Sequence, residues 1–258
     1  MRAVPWTFRQ TLLGTGLTVA PLVALLAAQN ATPAAPLEPL APAVDRASAV
    51  VTGITAALVE CVFLIAPLYF ALKGLGGAAP TAAPTLGEPP AAPGLPSAAS
   101  PGRAALRALG LRGFSVLRAL VLVAAGLVAI DLFGTLYDLL RVPTNVDALL
   151  RDAQRAPLTT LATLLVAVIV APVCEEIFFR GFLLSGLMLA MPAWAAVLAS
   201  ALVFGFAHAD PGSFLPLVMI GVVLGVLRLR SGSLWPGIAL HTLNNLNAAI
   251  FVLTALHH

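Results

Sequence analysis

The chain has 258 residues, of which 60% are hydrophobic and only 10% charged, with a formal net charge of +3. A soluble globular domain carries roughly 25% charged residues, so the composition excludes that class and predicts an all-α, polytopic transmembrane helical bundle. The positive charge sits on arginines beside apolar runs, not in dense basic tracts, which excludes nucleic acid as a partner and points to membrane lipid.

Taken in chain order, a first apolar run covers 11–28 behind Arg2 and Arg9, and reads as a signal anchor more than as a cleaved leader. A second run covers 50–72 and carries Glu60 near its middle. Residues 1–75 thus form a region of N-terminal transmembrane helices. The stretch 76–102 is rich in Ala, Pro and Gly and reads as an extended linker. A membrane-embedded helical domain is expected over 103–258. Its first arginines, Arg103, Arg107, Arg112 and Arg118, precede a third run at 116–140 and place that loop, and with it the N-terminus, in the cytoplasm. A bacterial cytoplasmic membrane suits the Ala- and Pro-rich composition.

Further apolar stretches follow at 157–173, 177–190, 193–208, 214–229 and 235–255. Several are shorter than the ~20 residues that cross a bilayer, so tilted, kinked or re-entrant pieces are expected among about eight helices, one more or fewer. Asp131 and Asp138 lie in the third run. These two and Glu60 are read as structural, because nothing beside them in the chain offers a matching chemical partner.

Between 157 and 207 the only residues ionised at neutral pH are Glu175, Glu176 and Arg180. An ionisable group inside hydrocarbon costs roughly 2.5–3.5 kcal/mol on insertion scales, so three together need partners. On a helix, Glu176 and Arg180 are four apart with the acid first, the favourable order for an ion pair. Glu175 is rotated away by about 100° and left available. His241 and Asn245 are also four apart, as are Phe204 and His208. Each pair shares a helix face. Phe204 reads as packing support, Cys174 as an inert buried thiol, and Asn244 and Asn247 as lying on other faces. His257 and His258 read as exposed chain end.

In order along the chain, Glu175-Glu176 with Arg180, Phe204 with His208, and His241 with Asn245 match E-E-x-x-x-R, F-x-x-x-H and H-x-x-x-N. With Gly221, Gly225 and the run 231–236 leading into His241, this pattern resembles the CPBP family. These are the CAAX protease and bacteriocin-processing (Abi) intramembrane proteases, whose relatives include the type II CAAX prenyl endopeptidase. The resemblance covers about 157–250. It implies an endopeptidase that hydrolyses a peptide bond in a membrane-associated protein or lipophilic peptide. Glu175, helped by His208, would activate water; His241 and Asn245 would bind metal or stabilise the oxyanion; Glu176 and Arg180 would hold the site together.

Two mechanisms remain open. Glu175, His208 and His241 could ligate one zinc ion and leave a position for water, the preferred version because two histidines and a carboxylate form an established catalytic zinc set. Alternatively, Glu175 is a metal-free general base, with His241 and Asn245 as an oxyanion hole. Two other classes compete: a non-proteolytic membrane adaptor or immunity-type protein, and an ion pathway through the intramembrane carboxylates. Hydrolysis requires water, so the polar residues should line a cavity, with Gly181, Gly186, Gly205, Gly221 and Gly225 letting helices close around it.

Overall fold

A computed structural model describes residues 4–30, 38–76 and 101–255, and the described chain is helical throughout. Most of the expected linker, and His257 and His258, lie outside the described residues. The helices are α1 (Phe8–Asn30), α2 (Pro42–Gly76), α3 (Pro101–Leu109), α4 (Val116–Asp138), α5 (Asn145–Arg155), α6 (Pro157–Ile169), α7 (Ala171–Glu175), α8 (Leu184–Leu187), α9 (Ala193–Ala207), α10 (Phe214–Ser231) and α11 (Trp235–Ala255). A π-helical segment, Glu176–Leu183, joins α7 to α8.

Among the described residues six segments are long and apolar enough to cross a membrane: Phe8–Ala28, Pro42–Leu75, Val116–Asp138, Pro157–Leu187, Phe214–Ser231 and Trp235–Ala255; Ala193–Ala207 is a shorter apolar helix. These seven lie within the range expected from the sequence. The stretches read separately as 157–173 and 177–190 form one continuous segment. Its path is interrupted at Val170 and Pro172, where proline removes a backbone donor, and is then widened by the π turn. Such π segments occur often at functional sites.

The core lies around this segment. Phe178, Phe179 and Phe182 are fully buried. Phe63 of α2 meets the first two at ring-centroid distances of 5.1 and 5.5 Å, and Phe70 stacks on Phe182 at 5.9 Å. Trp6, just before α1, reaches Phe182 at 5.2 Å. The N-terminal helices therefore share one core with the segment that carries the motif.

Asp45 of α2 fixes how α2 meets α6. Helix α6 begins Ala156-Pro157, so it has no side-chain cap of its own. Asp45 supplies one from a different helix: its carboxylate accepts the Leu158 N–H at 2.9 Å and the Thr159 N–H at 3.0 Å, and the Thr159 hydroxyl donates to it at 2.8 Å. The first N–H groups of any helix lack partners within it, and a buried carboxylate satisfies them and suits the positive end of the dipole. Helix α2 is thereby anchored along α6 and α7, which sets the position of Glu60.

Candidate active site

The expected ion pair forms. Arg180 Nη1 donates to Glu176 Oε1 at 2.7 Å, with both side chains fully buried, and Arg180 Nη2 reaches the Gly221 carbonyl at 3.4 Å. The guanidinium also lies over the Phe204 ring, 4.5 Å from its centroid. Phe204 holds three polar groups at once, because its ring meets His208 at 4.8 Å and His241 at 5.8 Å, both edge-on. The expected packing role is what the geometry displays.

Close helix approach makes this arrangement possible. A Cβ at position 221 would lie 2.8 Å from the Ala201 Cβ, and one at 225 would lie 2.9 Å from Val197. Glycine thus lets α10 approach α9 closely. At Gly237, an added Cβ would lie 2.8 Å from Glu176 Oε2, so glycine lets α11 approach the buried carboxylate.

His241, near the start of α11, stands over both glutamates. Its Nδ1 is 3.5 Å from Glu176 Oε1 without hydrogen-bond alignment, and its Nε2 is 3.8 Å from Glu175 Oε2. The second gap is too long for a direct hydrogen bond. Glu175 is 6% exposed, and its Oε2 has no hydrogen-bond partner.

Glu175, His208, His241 and Asn245 line one cavity of about 430 Å³, bounded by α2, α4, α5, α6, α7, α9, α10 and α11. Among the described residues the half-buried His208 has no side-chain hydrogen-bond partner; its Nδ1 pairs with the Phe204 carbonyl at 2.8 Å, which leaves Nε2 as its other ring nitrogen. Asn245 donates from Nδ2 to the Ala167 carbonyl at 2.8 Å, tying α11 to α6, and its Oδ1 accepts from Asn244 at 3.3 Å.

Three sequence expectations are corrected here. Asn244, read as lying on another face, lines the cavity beside Asn245, and Asn247 lines an adjoining depression. Glu60, set outside the site, also lines the cavity, and its Oε2 is buried without a partner. Asp138 lies at the exposed rim of the same cavity, whereas Asp131 is not among its lining residues. The one available signal for Glu60 was an acid in the middle of an apolar run; nothing in the chain told which helix it would face.

By type, Glu175, His208 and His241 suit zinc. By position, no three His, Cys, Asp or Glu side chains among the described residues are gathered closely enough to hold one ion. Glu175 and His241 face each other, and His208 does not complete a ready trio.

Residues 157–247 match the family model described as type II CAAX prenyl endopeptidase Rce1-like. The resemblance carried by the three motifs therefore holds for that segment. A Bacillus subtilis (strain 168) protein named "Putative membrane peptidase YdiL" is 31% identical over 105 residues, a match spanning 41% of each chain. No solved structure matches.

Proposed function

We propose that this is an integral-membrane endopeptidase that cleaves a peptide bond in a membrane-associated protein or lipophilic peptide. The observation that carries the reading is Glu175: nine-tenths buried, its Oε2 unpartnered, and lining a cavity with both motif histidines. A buried carboxylate left without a partner is unfavourable unless it has work to do. The family match and the name of the relative support hydrolysis of a peptide.

In this reading Glu175 accepts a proton from water as the water oxygen bonds to the scissile carbonyl carbon. The negative charge that develops on the carbonyl oxygen faces His241 and the second Asn245 N–H. Glu175 then returns its proton to the departing nitrogen as the C–N bond breaks. Glu176 and Arg180 touch no substrate; their ion pair and the Phe204 ring position His241 over Glu175. General-base catalysis of this kind contributes roughly 10²–10⁴ in rate.

Zinc held by Glu175, His208 and His241 is a separate proposal, supported by donor type alone. It predicts about one zinc per chain by elemental analysis, lost on His208→Ala. We also propose a bacterial cytoplasmic membrane with the N-terminus in the cytoplasm, a reading supported by the arginines that precede α4.

The deciding experiment compares wild type and Glu175→Ala in nanodiscs against a proteome-derived set of hydrophobic peptides, with products read by mass spectrometry. Cleavage present in wild type and absent in the variant is expected. Cleavage undiminished in the variant overturns the assignment, and a cellular phenotype insensitive to alanine at Glu175 and His208 would favour the adaptor.

A further inference from the structure

The cavity has an unbalanced charge pattern. Glu60 and Glu175 line its interior and Asp138 its rim, while no Lys or Arg lines it. Arg180, a buried cation that lies over the lining residue Phe204, is engaged by Glu176 at 2.7 Å and by the Gly221 carbonyl. Glu60 and Glu175 line the same cavity, and Oε2 of each is buried with no hydrogen-bond partner among the described residues. His241 leans toward Glu175 and Glu176; neither its contacts nor those of His208 include Glu60.

The mechanism above uses Glu175 and leaves Glu60 without a role. Its position is nevertheless built, since Asp45 anchors α2 against the start of α6 and so holds Glu60 at the cavity that Glu175 also lines. An intramembrane carboxylate persists where it pairs with an opposite charge or lines a path for one. Among the described residues no Lys or Arg lines the cavity, and Arg141 and Arg151 line only the adjoining depression, so the opposite charge at Glu60 is left for a ligand to supply.

We propose that Glu60 is a specificity-determining residue of the cavity, which takes a lipophilic peptide carrying a lysine or arginine side chain or a free amine near the scissile bond. The cation would donate a charge-assisted hydrogen bond to Glu60 Oε2, and apolar neighbours of the cation in the peptide would pack against Leu164, Leu217 and Ile220 of the lining. This inference rests on the cavity being a peptide site, as the protease reading has it.

The test is one of binding and so does not depend on turnover. Two dye-labelled lauroyl tripeptides are titrated into full-length protein in nanodiscs: one has lysine between two leucines, the other norleucine, which keeps the chain length without the ammonium. Wild type is expected to bind the lysine probe about tenfold more tightly, the size of one charge-assisted hydrogen bond, and Glu60→Gln is expected to abolish the difference. Equal binding of the two probes by wild type overturns the proposal without any variant, and so does a lysine preference that survives Glu60→Gln. Mass spectrometry of the same samples reports cleavage separately. An uncleaved lysine probe that is still preferred through Glu60 supports this subsite while counting against the protease assignment.

Discussion

Two faces of one helical segment, α7 with the π turn, follow opposite rules. The aromatic face of Phe178, Phe179 and Phe182 is saturated, with each ring meeting others from α2 or the segment before α1. The polar face of Glu175 and Glu176 is equally buried but incompletely satisfied, with an unpaired oxygen on each carboxylate. Apolar contacts are non-directional and can be completed by any well-shaped neighbour. Polar groups need partners at defined angles, and those left over mark where the molecule expects something else. The lesson is that the aromatic face holds the polar face in its unsatisfied state.

The strongest way to break this division is to remove one half of the buried ion pair. Arg180→Met should destabilise by about 3–5 kcal/mol, because Glu176 would remain charged and buried. Adding Glu176→Gln should recover much of that loss, and denaturant titration in detergent checks both. If the double variant is no more stable than the single, the pair is not the unit described.

Phe182→Ala comes next, at about 3–5 kcal/mol for a fully buried ring. Since Phe182 is not among the residues lining the cavity, cleavage per folded molecule should stay near wild type. A loss of turnover beyond the loss of folded protein would show that the two faces are coupled through packing alone.

Gly237→Ala sharpens the comparison from the polar side. The new Cβ would meet Glu176 Oε2, so it should cost about 1–3 kcal/mol by overpacking and also displace His241. Here turnover should fall further than stability, the reverse of Phe182→Ala. Asp45→Ala should lower the melting temperature by a few degrees through the lost cap, with the lysine-over-norleucine preference weakened as α2 loosens. Leu120→Ala, on an exposed stretch of α4, should change stability by no more than about 0.5 kcal/mol.

What could be read directly from the residues was whatever lies within one helix. The Glu176–Arg180, Phe204–His208 and His241–Asn245 relations are four-residue spacings, and a helix places such pairs on one face without help from any neighbour. The membrane class, too, followed from composition and run length, because a bilayer imposes a span of about 20 apolar residues. Contacts between helices were another matter. In a bilayer the lipid-facing and core-facing sides of a helix are both apolar, so the periodicity that reveals a buried face in a soluble protein is largely absent. For that reason nothing in the chain told that Glu60 shares a cavity with Glu175, that Asn244 joins Asn245 there, or that Asp45 caps a helix more than a hundred residues away. The sequence by itself determined the class, the local pairs and the chemical types of the site. Only the tertiary structure decided which of those groups meet and which are left unpaired, because that depends on how apolar helices with no distinguishing face settle against one another.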